Sequence, residues 1–283
     1  MNNRKNIAII GVGLIGGSLA LRLHEKKLSA RLIGVETDAA HAQKAVELEL
    51  VDEVLPLSEA IAQADVIAVC IPVDALVSLL PQLLDSVNHQ IVFDMGSTKN
   101  NLLTAIKDHP KRGRYVATHP MWGTEYRGPA AAQKDAFETK AVAMCNNHES
   151  DADAVEWVKQ MYIKIGMTPI EMNGDAHDLH AAYISHISHV TSFALANTVL
   201  EKEKEDSAIF ALASAGFAST VRLAKSNPAM WVPIFLQNRN NVLDVLDEHI
   251  EQLKTFRNIL LLENEGALRN YIEQANTISR IIK

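Results

Sequence analysis

Along the first 170 residues, short apolar runs alternate with stretches of helical spacing. NIAIIG (6–11), RLIGVE (31–36), DVIAVCIP (65–72) and HQIVFDMG (89–96) read as strands. Between them LIGGSLALRL (14–23), AAHAQKAVEL (39–48), SEAIAQA (58–64) and DALVSLLPQLLDSV (74–87, despite Pro81) read as helices. Strands without polar alternation suit a parallel sheet buried on both faces, and the strand–helix rhythm predicts a doubly wound α/β domain of the Rossmann-like kind.

From about residue 170 the pattern becomes helical throughout. DAHDLHAAYISHISHVTSFALANTVLEKEK (175–204) forms one long helical pattern, and KEKED (202–206) reads as a solvated helix end or loop. Leu243, Leu246, Ile250, Leu253 and Leu260 recur at helical spacing, broken by Arg257, and Leu268, Tyr271, Ala275 and Ile278 repeat it. Two domains are therefore expected, 1–172 and an all-helical 173–283. The apolar stripes serve either as that domain's own core or as packing between two chains, and a homodimer through these helices is the expectation.

Composition narrows the class. At 283 residues, 48% hydrophobic and 22% charged, the chain has an ordinary globular make-up. A net charge of −7 without a Lys/Arg-rich run argues against nucleic acid as a partner. Arg4 and Lys5 ahead of IAIIGVGLIGGSLAL imitate a leader peptide, but the glycines there have a better use. No apolar run reaches membrane-spanning length. Cys70 and Cys145 each end an apolar run, as reduced thiols of a cytoplasmic protein do, and two cysteines provide no thiolate zinc cluster.

GVGLIGG (11–17) is GxGxxG placed after a strand and at a helix start. Gly11 permits the tight turn, Gly13 lets a pyrophosphate approach the backbone, and Gly16 lets helix and strand pack closely; the N–H groups at Leu14 and Ile15 open the helix toward the diphosphate. Glu36 ends the next strand, where a carboxylate accepts bonds from ribose hydroxyls and repels the extra phosphate of NADP. The expected cofactor is therefore NAD.

THPMWGTE (118–125) is too broken by Pro120 and Gly123 for a helix or central strand. His119 within it follows the strand-like RYVAT (114–118), on the edge where α/β sheets bind ligands. It is either a satisfied turn histidine or a proton acceptor. Four further histidines lie at 177, 180, 186 and 189. At about 100° per residue His177 and His180 fall on one helix face and His186 and His189 on the opposite one, so the four cannot share a metal, and no metal is expected. One pair faces the cleft and the other is solvated or at a domain contact. Arg222 is either an exposed helix arginine or a bidentate carboxylate anchor. Lys225 reads as solvated and Trp231 as helical core. Trp122 either closes a pocket or packs under its loop.

Taken in order, GVGLIGGS, DMGSTK (94–99), THPMWGTE, SHISH (185–189) and RLAKSNPAMW (222–231) make the chain resemble the prephenate dehydrogenases of tyrosine biosynthesis. The resemblance implies NAD-dependent oxidative decarboxylation of prephenate to 4-hydroxyphenylpyruvate and a Rossmann-like domain followed by a helical dimerisation domain. It implies that His119 accepts the hydroxyl proton with Ser97 sharing that hydrogen bond, that His189 contacts substrate with His186 nearby, and that Arg222 holds a substrate carboxylate. Gly216 matches a glycine of the family's glycine-rich loop. Trp122 stands where the family has a small residue, Ser188 replaces a proline between the two histidines of SHISH, and Ala213, Ser214 and Ala215 precede Gly216 where more glycine is usual. Rival readings are an arogenate dehydrogenase, a non-catalytic NAD-sensing protein, and a hydroxyacid or imine reductase of the same plan. The hydroxyacid group requires a lysine that DAHDLHAAYISHISH lacks.

Overall fold

A computed structural model of the chain describes residues 4–204 and 207–281. Glu205 and Asp206 of the charged run lie outside the described residues. In chain order the N-terminal portion runs β1 (Lys5–Ile10), α1 (Leu14–Glu25), β2 (Ser29–Val35), α2 (Ala39–Glu47), β3 (Glu53–Val54), α3 (Leu57–Gln63), β4 (Val66–Val69), α4 (Val73–Ser86), β5 (Ile91–Asp94), α5 (Asn100–Ala105), β6 (Tyr115–Pro120), β7 (Ala141–Cys145), α6 (Ala152–Lys164) and β8 (Thr168–Met172). The helices α7 (Gly174–Ala181), α8 (Ile187–Glu203), α9 (Ala215–Thr220), α10 (Pro228–Gln237), α11 (Arg239–Leu261) and α12 (Glu265–Asn276) follow. By compactness the chain forms two units, Met1–Asn238 and Arg239–Lys283.

One eight-stranded sheet has the order β3-β2-β1-β4-β5-β6-β7-β8. Its pairs are parallel except β6 with β7. Because side chains alternate across a strand, successive residues serve opposite faces. Ile7, Ile9, Phe93 and Val116 join α1 and α6 in one core, while Ala8, Ile10, Val92 and Tyr115 join α4 in the other. Both faces are covered, which is why the strands read as unbroken apolar runs. The expected parallel sheet is present from β3 through β6. The antiparallel β7 returns the chain beside β6, and the last strand, Thr168–Met172, lies largely exposed.

The order reverses between β1 and β4, and in such sheets ligands bind at the carboxyl ends of the strands flanking that crevice. Since β6 runs parallel to β5, the ends of β1, β4, β5 and β6 share this edge.

In the second unit Tyr271 hydroxyl donates to Gln252 Oε1 at 3.1 Å, and Phe256 meets the Tyr271 ring edge-on at 5.6 Å. The stripe foreseen in α11 is not this unit's enclosed core: Leu243, Ile250, Leu253 and Leu260 are exposed.

The packing of α1 onto β1 turns on Gly16. A Cβ there would sit 2.1 Å from the Gly11 carbonyl oxygen, a backbone atom that cannot step aside, whereas at Gly216 the nearest atom is Ser214 Oγ at 3.8 Å. Gly16→Ala is therefore expected to lower the unfolding free energy by about 1–3 kcal/mol and Gly216→Ala to leave it nearly unchanged, as read by urea denaturation. Equal effects would show that the glycine does not control this contact.

Candidate active site

At the mouth of the β1/β4 crevice the chain turns at Gly11, whose φ is +88. A side chain there would meet the Cys70 carbonyl, so glycine is required twice over. Gly13 caps α1 with no side-chain bond to the helix start, and a Cβ on Gly13 would meet nothing within 4 Å. Leu14 and Ile15 open the helix, where backbone N–H groups lack intrahelical acceptors. Glu36 at the end of β2 accepts from Val12 N–H at 3.2 Å and Thr37 N–H at 2.9 Å, tying the strand end to the glycine turn.

At the ends of β5 and β6 two buried carboxylates organise the backbone. Asp94 accepts from the Tyr115 hydroxyl at 2.7 Å, Thr118 N–H at 3.0 Å and Gly96 N–H at 2.8 Å, and it forms an ion pair with the fully buried Lys99. Asp178 on α7 accepts from Lys99 N–H at 2.8 Å and Asn100 N–H at 2.9 Å. The same carboxylate lies 2.8 Å from His177 Nδ1. His177 Nε2 in turn lies 2.8 Å from Nδ1 of the half-buried His119, and the two rings meet edge-on.

This corrects the histidine pairing expected from an uninterrupted helix. Between α7 and α8 the chain makes a π-turn, Ala182–His186. Such a turn inserts residues without the usual rotation, so His186 lags the phase that places it opposite His177. Both His177 and His186 are buried, and Asn238 Nδ2 donates to the Asp178 carbonyl at 2.6 Å and meets His186 Nδ1 at 3.1 Å. Of the two alternatives for this pair, His177 is not solvated but lies against His119 of the sheet, while His180 is exposed. Neither His177 nor Asp178 stood out in the sequence as a site residue. The signal available was their adjacency in DAHD; the π-turn leaves no mark in the spacing.

Ser97 is half-buried in the loop that Asp94 and Asp178 hold, and the bond on His119 Nδ1 goes to His177. His189, 9% exposed, sits 3.0 Å from the Ser185 carbonyl through Nδ1 and stacks on Trp231 at 3.4 Å. Trp231 is buried with Val73 and Ile234, so it is core, as expected, and also the platform for His189. Arg222 is exposed and pairs with Glu125 at 3.2 Å. Gly216 lies in α9, its carbonyl accepting from Ser219 and Thr220 hydroxyls at 2.8 and 2.9 Å. Trp122 packs edge-on to Phe137 at 5.7 Å against the sheet core, which supports the packing role over the pocket-closing one. Lys225 is exposed and lines an open pocket of about 820 Å³ together with Glu125 and parts of the loop 126–133.

Burial, then electrostatic opposition from His177, Lys99 and His186 to a second positive charge beside them, holds the His119 imidazole well below the usual histidine range. Burial likewise lowers His189 and takes His186 down to about 4. A neutral imidazole at the end of β6 is equipped to accept a proton at neutral pH.

The chain is similar to known proteins over nearly its whole length. The nucleotide-binding domain of prephenate dehydrogenase matches residues 19–170, and the prephenate dehydrogenase dimerization domain matches residues 173–274. A prephenate dehydrogenase of Bacillus subtilis (strain 168) is 30% identical over 280 residues, covering 97% of this chain and 76% of the relative. A cyclohexadienyl dehydrogenase of Zymomonas mobilis is 29% identical over 285 residues, covering 99% of this chain and 96% of the relative. The crystal structure of prephenate dehydrogenase from A. aeolicus in complex with hydroxyphenyl propionate and NAD+ has a TM-score of 0.89 at 25% identity, over 99% of both chains.

The lowered pKa of His186 makes a stability prediction. Its folded value lies below the unfolded one, so the unfolded chain takes up the proton first and native stability is lost as pH falls from 6.5 toward about 4, by an amount on the order of 3 kcal/mol. His186→Gln keeps an acceptor for Asn238 but does not titrate. Its urea midpoint is expected to fall less than that of the wild type across this window; parallel decline in the two proteins would contradict the assignment.

Proposed function

This chain belongs to the prephenate dehydrogenase family, and on that footing we propose that it oxidises prephenate with NAD, releasing CO2 and 4-hydroxyphenylpyruvate. The observation that carries the reading is His119: a neutral imidazole at the carboxyl edge of the sheet, beside the loop bearing Ser97. The glycine turn fits a dinucleotide, because the space over Gly13 is open and α1 begins there without a side-chain cap. Gly11, Gly13, Leu14, Ile15 and Gly16 cradle the diphosphate, and Glu36 receives the ribose hydroxyls and disfavours NADP. Bound NAD supplies the hydride acceptor.

In this reading His119 Nε2 takes the proton from the ring hydroxyl as the hydride leaves the same carbon, and Ser97 orients that hydroxyl. The C4–O bond becomes a carbonyl, the C1–carboxylate bond breaks to release CO2, its electrons complete the aromatic ring, and the resulting phenolate oxygen regains its proton from the His119 imidazolium. Arg222 holds a substrate carboxylate after turning from Glu125, an exposed pair of small net worth. His189 contacts the substrate, and Gly216 borders its pocket. Residues 1–172 serve the cofactor. Residues 173–283 serve the substrate and a homodimer, for which the exposed apolar stripe of α11 is the supporting observation. Cys70 and Cys145, both free thiols, agree with a cytoplasmic location, and no described helix is long and apolar enough to cross a membrane.

Prephenate is favoured over arogenate because an ammonium group taken from water needs an acceptor. Asp94 and Asp178 are already engaged by buried donors, so Glu125, once Arg222 turns from it, is the acid such a group would have to use. Assayed with NAD, prephenate is expected to give the higher kcat/KM, and His119→Asn to lower kcat by about 10²–10⁴-fold while NAD binding persists. Faster turnover of arogenate would reverse the substrate assignment. A His119→Asn enzyme within a few-fold of wild type would remove His119 from the chemistry.

A further inference from the structure

His119 acts as a base only if its substrate-facing nitrogen is bare, and the exposed end of a neutral imidazole carries a proton in one of its two tautomers. The buried chain behind it bears on which tautomer forms. Asp178 accepts two backbone N–H groups, from Lys99 at 2.8 Å and Asn100 at 2.9 Å, so it stands as a carboxylate and can only accept. The 2.8 Å contact to His177 Nδ1 therefore requires the proton on His177 Nδ1. A neutral His177 then has a bare Nε2, and the 2.8 Å contact to His119 Nδ1 requires His119 Nδ1–H to donate into it. The second nitrogen of His119, Nε2, is left without a proton.

We propose that Asp178 and His177 are positioning residues that lock His119 in the tautomer whose bare Nε2 meets the reacting hydroxyl. The inference rests on the reading of His119 as the proton acceptor and extends it two residues deeper. The charged and titratable groups facing His119 are His177 from α7, His186 from the π-turn and Lys99 from the loop after β5. Lys99 is paired with Asp94, and its charge opposes protonation of His119. Asp178 fixes that loop through the Lys99 and Asn100 amides, and so sets the position of Ser97 with the same carboxylate. The rival arrangement is a doubly protonated His177, which would donate to His119 Nδ1 and force the proton onto His119 Nε2.

Replacing the carboxylate by an amide weakens the lock. Oδ1 takes both the Lys99 N–H and the His177 Nδ1 contact, and Oδ2 the Asn100 N–H, so in Asp178→Asn an NH2 stands against one backbone donor whichever way the amide turns, and the anchor of His177 Nδ1–H loses its charge. The comparable exchange beneath the catalytic histidine of a serine protease costs about 10⁴-fold. Asp178→Asn is expected to lower kcat by about 10²–10⁴-fold with the KM for NAD nearly unchanged. His177→Gln, whose amide oxygen can accept from His119 Nδ1–H, is expected to retain more activity than His177→Leu.

The deciding measurement needs no substrate. With histidine labelled by 15N, long-range proton–nitrogen spectra of the wild-type protein at neutral pH are expected to show His119 Nδ1 protonated and Nε2 bare, and Asp178→Asn to lose that preference. A protonated His119 Nε2 in the wild type overturns the proposal even if Asp178→Asn fails to fold. So does an Asp178→Asn enzyme that keeps wild-type kcat. If the wild-type spectrum is as expected but neither prephenate nor arogenate is turned over, the tautomer lock stands and the substrate reading falls.

Discussion

The structure of the site depends on one buried carboxylate. Asp178, at the start of the helical region, accepts the Lys99 and Asn100 amides that follow β5 and meets His177 on its own helix. It thereby joins the end of a sheet strand to the first helix beyond the sheet, and the loop that carries Ser97 to the ring that supports His119. Leaving a buried charged group without its partners costs about 3–5 kcal/mol, so the arrangement is maintained as a unit. Asp94 provides the matching anchor on the sheet side, bonding Tyr115 and Thr118 on the neighbouring strand.

Much of the sheet was legible because parallel strands buried on both faces leave unbroken apolar runs. β1, β2, β4 and β5 fall within a few residues of those runs, and the glycine turn sits where GxGxxG after a strand indicates. The last strand was not legible, since an exposed edge strand such as Thr168–Met172 has no such run. Of the candidate site, His119, His189 and Arg222 were singled out through their motifs, and the position of His119 at a strand end follows from RYVAT alone.

The histidine helix shows why the rest was hidden. Spacing arguments assume a constant rotation per residue, and the π-turn at Ala182–His186 breaks that assumption. It brings His186 to the side where Asn238 bridges it to the Asp178 carbonyl. His177 was set aside for the same reason: its face was judged from a regular helix and its partner, His119, lies 58 residues away. A partner so distant in sequence leaves no local pattern. Trp122 was equally undecided in sequence, because packing on Phe137 or closing a pocket demands the same large ring.

Three histidines around the cleft, His119, His186 and His189, are shifted toward neutrality, each first by burial. For a proton acceptor this has a use: the base is already deprotonated at the pH where it works, and its readiness rests on desolvation and the Asp178–His177 support. The central claim is that neutral His119 accepts the hydroxyl proton, and the pH dependence of kcat/KM for prephenate tests it most directly. Since the His119 pKa lies below 6.5, kcat/KM is expected to stay level as pH falls through 6.5 and to decline only under more acidic conditions. A profile that loses half its height at or above pH 6.5 would contradict the account.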